Sequence, residues 1–213
     1  MANPRKEPYL WVTWITKLLA GEANCLWQAW FKAHYENFDR QPRSGDLTTW
    51  TARHAELVRK RAAELQAQGY EVWLEEQNKF TLRGERVTLQ GKADIVARKD
   101  ADVVVVDCKT GKQRDSDRMQ VFVYMMVLPE THHACKGLAV RGEVEYPDET
   151  VELDALPHAV RMLIASMIGR VGQEAPLEKT PSFQECRFCD LTREDCPERI
   201  EQDTHRTVKT GLF

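Results

Sequence analysis

No stretch of this sequence is apolar for the roughly 18 residues that a bilayer-spanning helix requires, so no membrane span is expected. A P-loop is missing too, which sets aside a helicase motor, and there is no internal repeat, low-complexity tract or obvious linker. A secretory leader is imitated only faintly. Thr13, Thr16 and Lys17 interrupt the apolar stretch from Tyr9 to Ile15 that follows Pro4-Arg5-Lys6, and no small-residue cleavage site follows. The chain is therefore expected to be mature and cytosolic (cytoplasmic). Excess positive charge is also absent. Thirty Lys and Arg stand against 33 Asp and Glu, a formal net charge of −3, which disfavours binding of polyanions through bulk charge. A local basic groove stays open, because Lys109, Lys112, Arg114 and Arg118 crowd one short segment. Such a run is as commonly a solvated face. Without a secretory signal, the six cysteines do not imply disulfides, and the clustered ones point to metal instead.

What is present suits one domain. With 213 residues, 42% of them hydrophobic, the chain can bury a core of its own. Apolar residues at helical spacing (Trp11, Trp14, Leu18, then Leu26, Trp27, Trp30 and Phe31) predict helix from Trp11 to about Tyr35. The stripe reads as core, with a base-stacking platform as the alternative. Good helix formers predict a long helix from Leu47 to Gln68, stopped by Gly69. The period then shortens. Val72 to Leu82 and Arg86 to Arg98 read as strands, and Val103 to Val106, four valines in a row, as a strand buried on both faces. A helix is expected from Ser116 or Asp117 to Leu128, ahead of Pro129. Cys135 to Tyr146 reads as a strand, Val151 to Leu153 as an edge, and Pro157 to about Gly172 as a helix. Together these predict an α/β architecture, a mixed sheet flanked by helices.

The chemistry concentrates in Gly91-Lys92-Ala93-Asp94 and Asp107-Cys108-Lys109-Thr110-Gly111. Side chains alternate along a strand, so Asp107 and Lys109 share a face while Cys108 points into the core. Charges at the end of a buried strand are costly unless something uses them. Asp94 beside Asp107 would repel it, and a divalent cation between them removes the repulsion. Lys109 beside that metal could orient or deprotonate a water, or stabilise charge developing on a phosphate. The combination suits phosphodiester hydrolysis. A surface salt bridge is the plain alternative for Asp-x-Lys taken alone.

At these residues the sequence resembles the PD-(D/E)XK nuclease superfamily, in particular its RecB-type exonuclease branch, from about His54 to Tyr124. That branch has a Gly-x-x-Asp motif, an Asp-x-Lys-Thr-Gly-like motif and Gln-x-x-x-Tyr on the next helix. Here these are Gly91 to Asp94, Asp107 to Gly111 and Gln120 to Tyr124. The proline of the family name is replaced by Ala93, as is frequent in the branch. The resemblance implies a restriction-endonuclease-like core. It also implies Mg²⁺ or Mn²⁺ held by His54, Asp94, Asp107 and the Cys108 backbone carbonyl, and Gln120 and Tyr124 lining the active-site groove. Glu75 is a further candidate, for a second metal.

Cys186-x-x-Cys189 followed by Cys196-Pro197 is a strong metal-binding signal. Three thiolates leave one ligand to find, and Cys25 is the natural fourth, since Cys108 and Cys135 read as buried thiols. One cysteine before the core and three after it resembles the iron–sulfur nucleases, among them the AddB nuclease domain and the CRISPR-associated RecB-type exonucleases. That resemblance implies a 4Fe–4S cluster joining the two chain ends, with zinc as the alternative. The gap before Cys196 is longer than is usual there. The expected protein is one nuclease domain over residues 1–213, its core at about 50–155 and its cluster formed by the N-terminal helix and the 181–200 tail. It would be an exonuclease on single-stranded DNA or DNA ends, working with CRISPR integration or recombination proteins. A catalytically silent DNA-binding or assembly module of the same fold is the rival.

Overall fold

The structure, a computed structural model, describes residues 2–42 and 47–203. In chain order the elements are β1 (Asn3–Pro4), β2 (Tyr9–Trp11), α1 (Thr16–Leu19), α2 (Leu26–His34), β3 (Tyr35–Glu36), α3 (Leu47–Ala67) and β4 (Glu71–Leu74). They continue with β5 (Lys79–Arg83), β6 (Thr88–Lys92), β7 (Ile95–Lys99), β8 (Asp102–Cys108), α4 (Asp115–Thr131), β9 (Val140–Glu145), β10 (Thr150–Leu153), α5 (His158–Val171) and α6 (Phe183–Cys186). None of the described helices is long and apolar enough to cross a membrane.

The central sheet has five strands in the order β10-β9-β8-β7-β4. It is mixed: β8 and β9 run parallel, and every other pair is antiparallel. The valine run lies in β8, and its alternation loads both faces. Val104, Val106 and Cys108 pack with Leu57, Val58, Ala62 and Leu65 of α3. Val103 and Val105 belong to the larger core on the other face, with Val121, Tyr124, Met125 and Leu128 of α4. The expected helix-flanked mixed sheet is therefore present, with β10 at its edge.

Several expected elements divide. The stretch read as one strand from Val72 to Leu82 is β4, a 3-10 turn at Glu75–Asn78, and β5. The stretch from Arg86 to Arg98 is β6 and β7. In both cases the chain leaves one sheet for the other, because β5 and β6 belong to a three-stranded sheet of order β2-β6-β5. The crossing is locked by Asn78, which is fully buried and donates its amide to the carbonyls of Trp73, Ala93 and Asp94. Glu75 adopts φ 39° and donates its N–H to Asp94 O at 2.9 Å. The tryptophan-rich N-terminus is not one helix. Tyr9–Trp11 is a strand parallel to β6, followed by a 3-10 turn and two helices. Helix α4 also runs past Pro129 for part of a turn, its end held by Thr131 Oγ1 on Val127 O and by His132 N on Leu128 O, both 2.9 Å. Where a strand was expected from Cys135, a 3-10 turn ends, and β9 starts at Val140.

Candidate active site and cysteine group

The antiparallel register of β7 and β8 pairs Ile95 with Val106. Asp94, just before β7, therefore lies beside Asp107, the next residue along β8. Gly91 sets the approach to Asp94. A Cβ there would stand 2.7 Å from Val12 Cγ2 and 2.8 Å from the Phe80 ring, closer than any side chain can sit. His54 of α3, Asp94, Asp107, Lys109 and Gln120 of α4 all line one cleft of about 430 Å³, with Lys112 and Arg114 on its rim. Of the local cations expected from the sequence, Lys109, Lys112 and Arg114 line this acidic cleft and Arg118 does not.

The floor is tightly wired. Gln120 Nε2 donates to Asp107 Oδ1 at 2.7 Å, and Lys109 Nζ donates to Gln120 Oε1 at 3.1 Å. Lys109 Nζ is also 2.6 Å from Asp107 Oδ2, an ion pair outside hydrogen-bond alignment, so that buried oxygen has no hydrogen-bond partner. Asp94 Oδ2 accepts the Cys108 N–H at 2.7 Å, and Asp94 Oδ1 is 3.4 Å from His54 Nε2. Burial pushes the Asp107 carboxyl up to about 6 even though Lys109 opposes it. Burial works against the Lys109 ammonium, but Asp107 and Asp94 outweigh it and hold the amine above its ordinary value. The contact with Asp94 holds the His54 imidazole up as well.

One expected groove residue, Tyr124, and the candidate for a second metal, Glu75, sit elsewhere. Tyr124 is 1% exposed, beneath Gln120, and does not line the cleft. Its hydroxyl accepts from Gln120 Nε2 at 3.0 Å and donates to Lys92 O at 2.9 Å. Glu75 is outside the cleft, its carboxylate 3.9 Å from Lys92 Nζ. Two others were not singled out from the sequence. Asn78 looks like any turn asparagine until its three backbone bonds are seen. Trp50 stacks on His54 with ring centroids 5.3 Å apart and planes 5° off parallel, lines the cleft, and is 53% exposed. Its place one turn before His54 was the available signal.

The donor set in the cleft is an imidazole and two carboxylates, with His54 Nδ1 buried without a hydrogen-bond partner and Asp107 Oδ2 held by the Lys109 ion pair. This chemistry fits a hard divalent cation. No group of three or more His, Cys, Asp or Glu side chains among the described residues is arranged to hold a metal ion. One oxygen of each carboxylate is occupied, Asp94 Oδ2 by the Cys108 N–H and Asp107 Oδ1 by Gln120.

Cys25, Cys186, Cys189 and Cys196 line a second, small cavity of about 20 Å³. Cys25 precedes α2 as its N-terminal flanking residue, rather than lying inside a long helix. Cys108 and Cys135 are buried elsewhere, Cys135 with its sulfur 3.9 Å from His132 Nδ1. The two ends of the chain are also joined by ordinary bonds. Glu185 accepts from Asn24 N–H at 3.1 Å and Cys25 N–H at 3.0 Å, Lys32 pairs with Asp190 at 3.3 Å, and Trp27 N–H donates to Glu178 O at 3.1 Å. Thiols are the donors that iron–sulfur clusters and zinc take, but these four, like the other described residues, are not arranged as a metal-holding group.

A family model of the PD-(D/E)XK nuclease superfamily matches residues 14–194. No curated protein matches the sequence. A solved structure titled "Crystal structure of SSO0001" is similar at a TM-score of 0.44 and 14% identity, over 88% of this chain and 85% of that one, a likeness too slight to bear on function.

Proposed function

The chain belongs to the PD-(D/E)XK nuclease superfamily, and from that membership we propose that it is a metal-dependent DNA exonuclease acting on single strands or strand ends. One observation carries this reading: Asp94, Asp107, Lys109 and Gln120 meet in a single cleft rimmed by Lys112 and Arg114. His54, Asp94, Asp107 and the Cys108 carbonyl are the proposed holders of Mg²⁺ or Mn²⁺. When bound, that ion would polarise the phosphate and make an attacking water more acidic.

The protein's own groups do the rest. Lys109 Nζ is poised to move from Asp107 into the cleft, where its charge meets that building on a phosphate oxygen or orients the water. Gln120 bridges Asp107 and Lys109 and keeps both aimed while Lys109 moves. Lys112 and Arg114 bind backbone phosphates. Trp50 offers an aromatic face to an unpaired base, which favours a single strand over a closed duplex. Tyr124 acts through Gln120 as a positioning residue. The cysteine cavity is proposed to hold a 4Fe–4S cluster that secures the fold, with zinc as the alternative occupant. CRISPR spacer processing and phage or plasmid recombination both suit such an enzyme, and the neighbouring genes distinguish them.

The test is digestion of end-labelled linear single strands beside a circular one, with Mg²⁺ or Mn²⁺. Linear strands should shorten and circles persist. Asp94→Ala and Lys109→Ala should each lose about a hundredfold or more, the usual cost of one oriented charge. Full activity in either variant, or in EDTA, overturns the mechanism. Cut circles overturn the exonuclease assignment. Binding without cutting under every condition favours the silent module.

A further inference from the structure

A third cavity, of about 370 Å³, shares Arg114 with the cleft. Lys17, Glu22, Glu185 and Phe188 are among its other walls. Two of these are acids, but both carboxylates are turned onto the protein. Glu22 accepts from Ser116 N–H at 2.9 Å and Ser116 Oγ at 2.8 Å, and Glu185 accepts from the Asn24 and Cys25 amides. The cations remain. Lys17 Nζ stands 5.5 Å from the Phe188 ring centre and Arg187 Cζ 5.6 Å. Phe188 itself is 74% exposed, the most exposed of the large apolar side chains among the described residues. It sits between Cys186 and Cys189, in a turn fixed by Phe188 N–H on Glu185 O at 3.1 Å and Cys189 N–H on Cys186 O at 3.3 Å. An exposed aromatic ring with two cations over it, on the wall of a cavity that shares Arg114 with the cleft, is what an extended single strand binds: phosphates to the cations, a base to the ring.

We propose that the DNA strand continues from the cleft across Arg114 into this third cavity and stacks a base on Phe188. The Cys186-x-x-Cys189 turn is then a nucleic-acid-binding element as well as a closure of the fold. The inference rests on the reading of the cleft as a single-strand nuclease site, and its test separates the two.

Binding of a fluorescent thymidine trinucleotide and dodecamer is measured with Ca²⁺ in place of Mg²⁺, so that bound strands persist. Wild type should prefer the dodecamer. In Phe188→Ala the ratio of dodecamer to trinucleotide affinity should fall about tenfold, the size expected for one lost base stack, and Phe188→Trp should restore it. Met162→Ala, which removes another exposed apolar side chain that lines neither cavity, should keep the wild-type ratio. An unchanged ratio in Phe188→Ala overturns the proposal. So does an equal loss for both lengths accompanied by a lowered melting temperature, which makes Phe188 structural. If wild type binds neither oligonucleotide, the nuclease reading itself fails, a result distinct from a failure at Phe188 alone.

Discussion

A carboxylate sealed at the bottom of a cleft works against the fold that carries it. Asp107 is 1% exposed, and burial raises its value to about 6, above the ordinary range near ~3.9. The folded chain holds that proton more tightly than the unfolded one. The contribution of Asp107 to stability is therefore best at low pH and is lost as pH rises from about 4 to about 6. Asp107→Asn removes this titration. In the presence of a chelator, its stability relative to wild type, read by thermal melting, should rise across that interval and level off above it, by at most about 3 kcal/mol, while cleavage is lost. A variant that melts below wild type at every pH would mean that Lys109 fully compensates the carboxylate. Tyr124 makes a second residue-scale case. Its spacing with Gln120 was legible, and so was a shared purpose, but not its depth, because one helix face can turn from groove to core within a single turn. Tyr124→Ala should cost about 3–5 kcal/mol, as other large core truncations do. Tyr124→Phe keeps the packing and removes only the bonds to Gln120 and Lys92 O, at about 1–2 kcal/mol. It should still depress cleavage by the folded fraction. Normal cleavage in Tyr124→Phe would limit the residue to packing.

The elements that the sequence made legible are those whose signals are local. The long helix α3, the valine strand β8, the helix α5 and the edge β10 follow from periodicity and from residues that stop or cap. The bends at residues 75–78 and 93–94 carry no glycine or proline. They are set by Asn78 reaching across fifteen residues of sequence, a tertiary decision that no window reveals. The N-terminal tryptophans mislead for a related reason: a strand pairing with distant β6 overrides helical spacing. Asp94 and Asp107 were found because each lies at a strand end beside a distinctive motif, whereas Trp50 carries no motif at all. Gly91 joins these levels, since its motif role and its packing role coincide. Gly91→Ala would press a methyl against Val12 and Phe80. It should destabilise the chain by about 1–3 kcal/mol, as overpacking does, and lower cleavage further by displacing Asp94. A wild-type melting temperature with wild-type cleavage would show that the junction between the sheets yields without cost.

At the scale of the whole molecule, the nuclease core is bracketed by segments that meet on the cysteine cavity. One cavity collects a thiol from before the core and three from after it, so the metal proposed there would close the chain from residue 25 to residue 196. Metal-binding energy at such a place becomes folding energy. Protein purified without oxygen should be brown and carry about four irons per chain, since four thiolates hold a 4Fe–4S unit. Cys25→Ala should be as damaging as changing Cys186, Cys189 or Cys196, and Cys135→Ala should spare the iron, because Cys135 packs against His132 away from the cavity. The bonds of Glu185, Lys32 and Trp27 across the same junction lead to a finer expectation. They hold the ends in register without metal, so loss of iron should first lower the melting temperature and solubility. Cleavage should fail only as the ends part, because no electron need move for a phosphodiester to be cut. Iron analysis, melting and cleavage measured on the same preparations decide it. Stoichiometric zinc without iron replaces the cluster but keeps the ligands. Iron that survives Cys25→Ala removes the N-terminal segment from the metal site and leaves its junction with the C-terminal segment to the bonds of Glu185, Lys32 and Trp27.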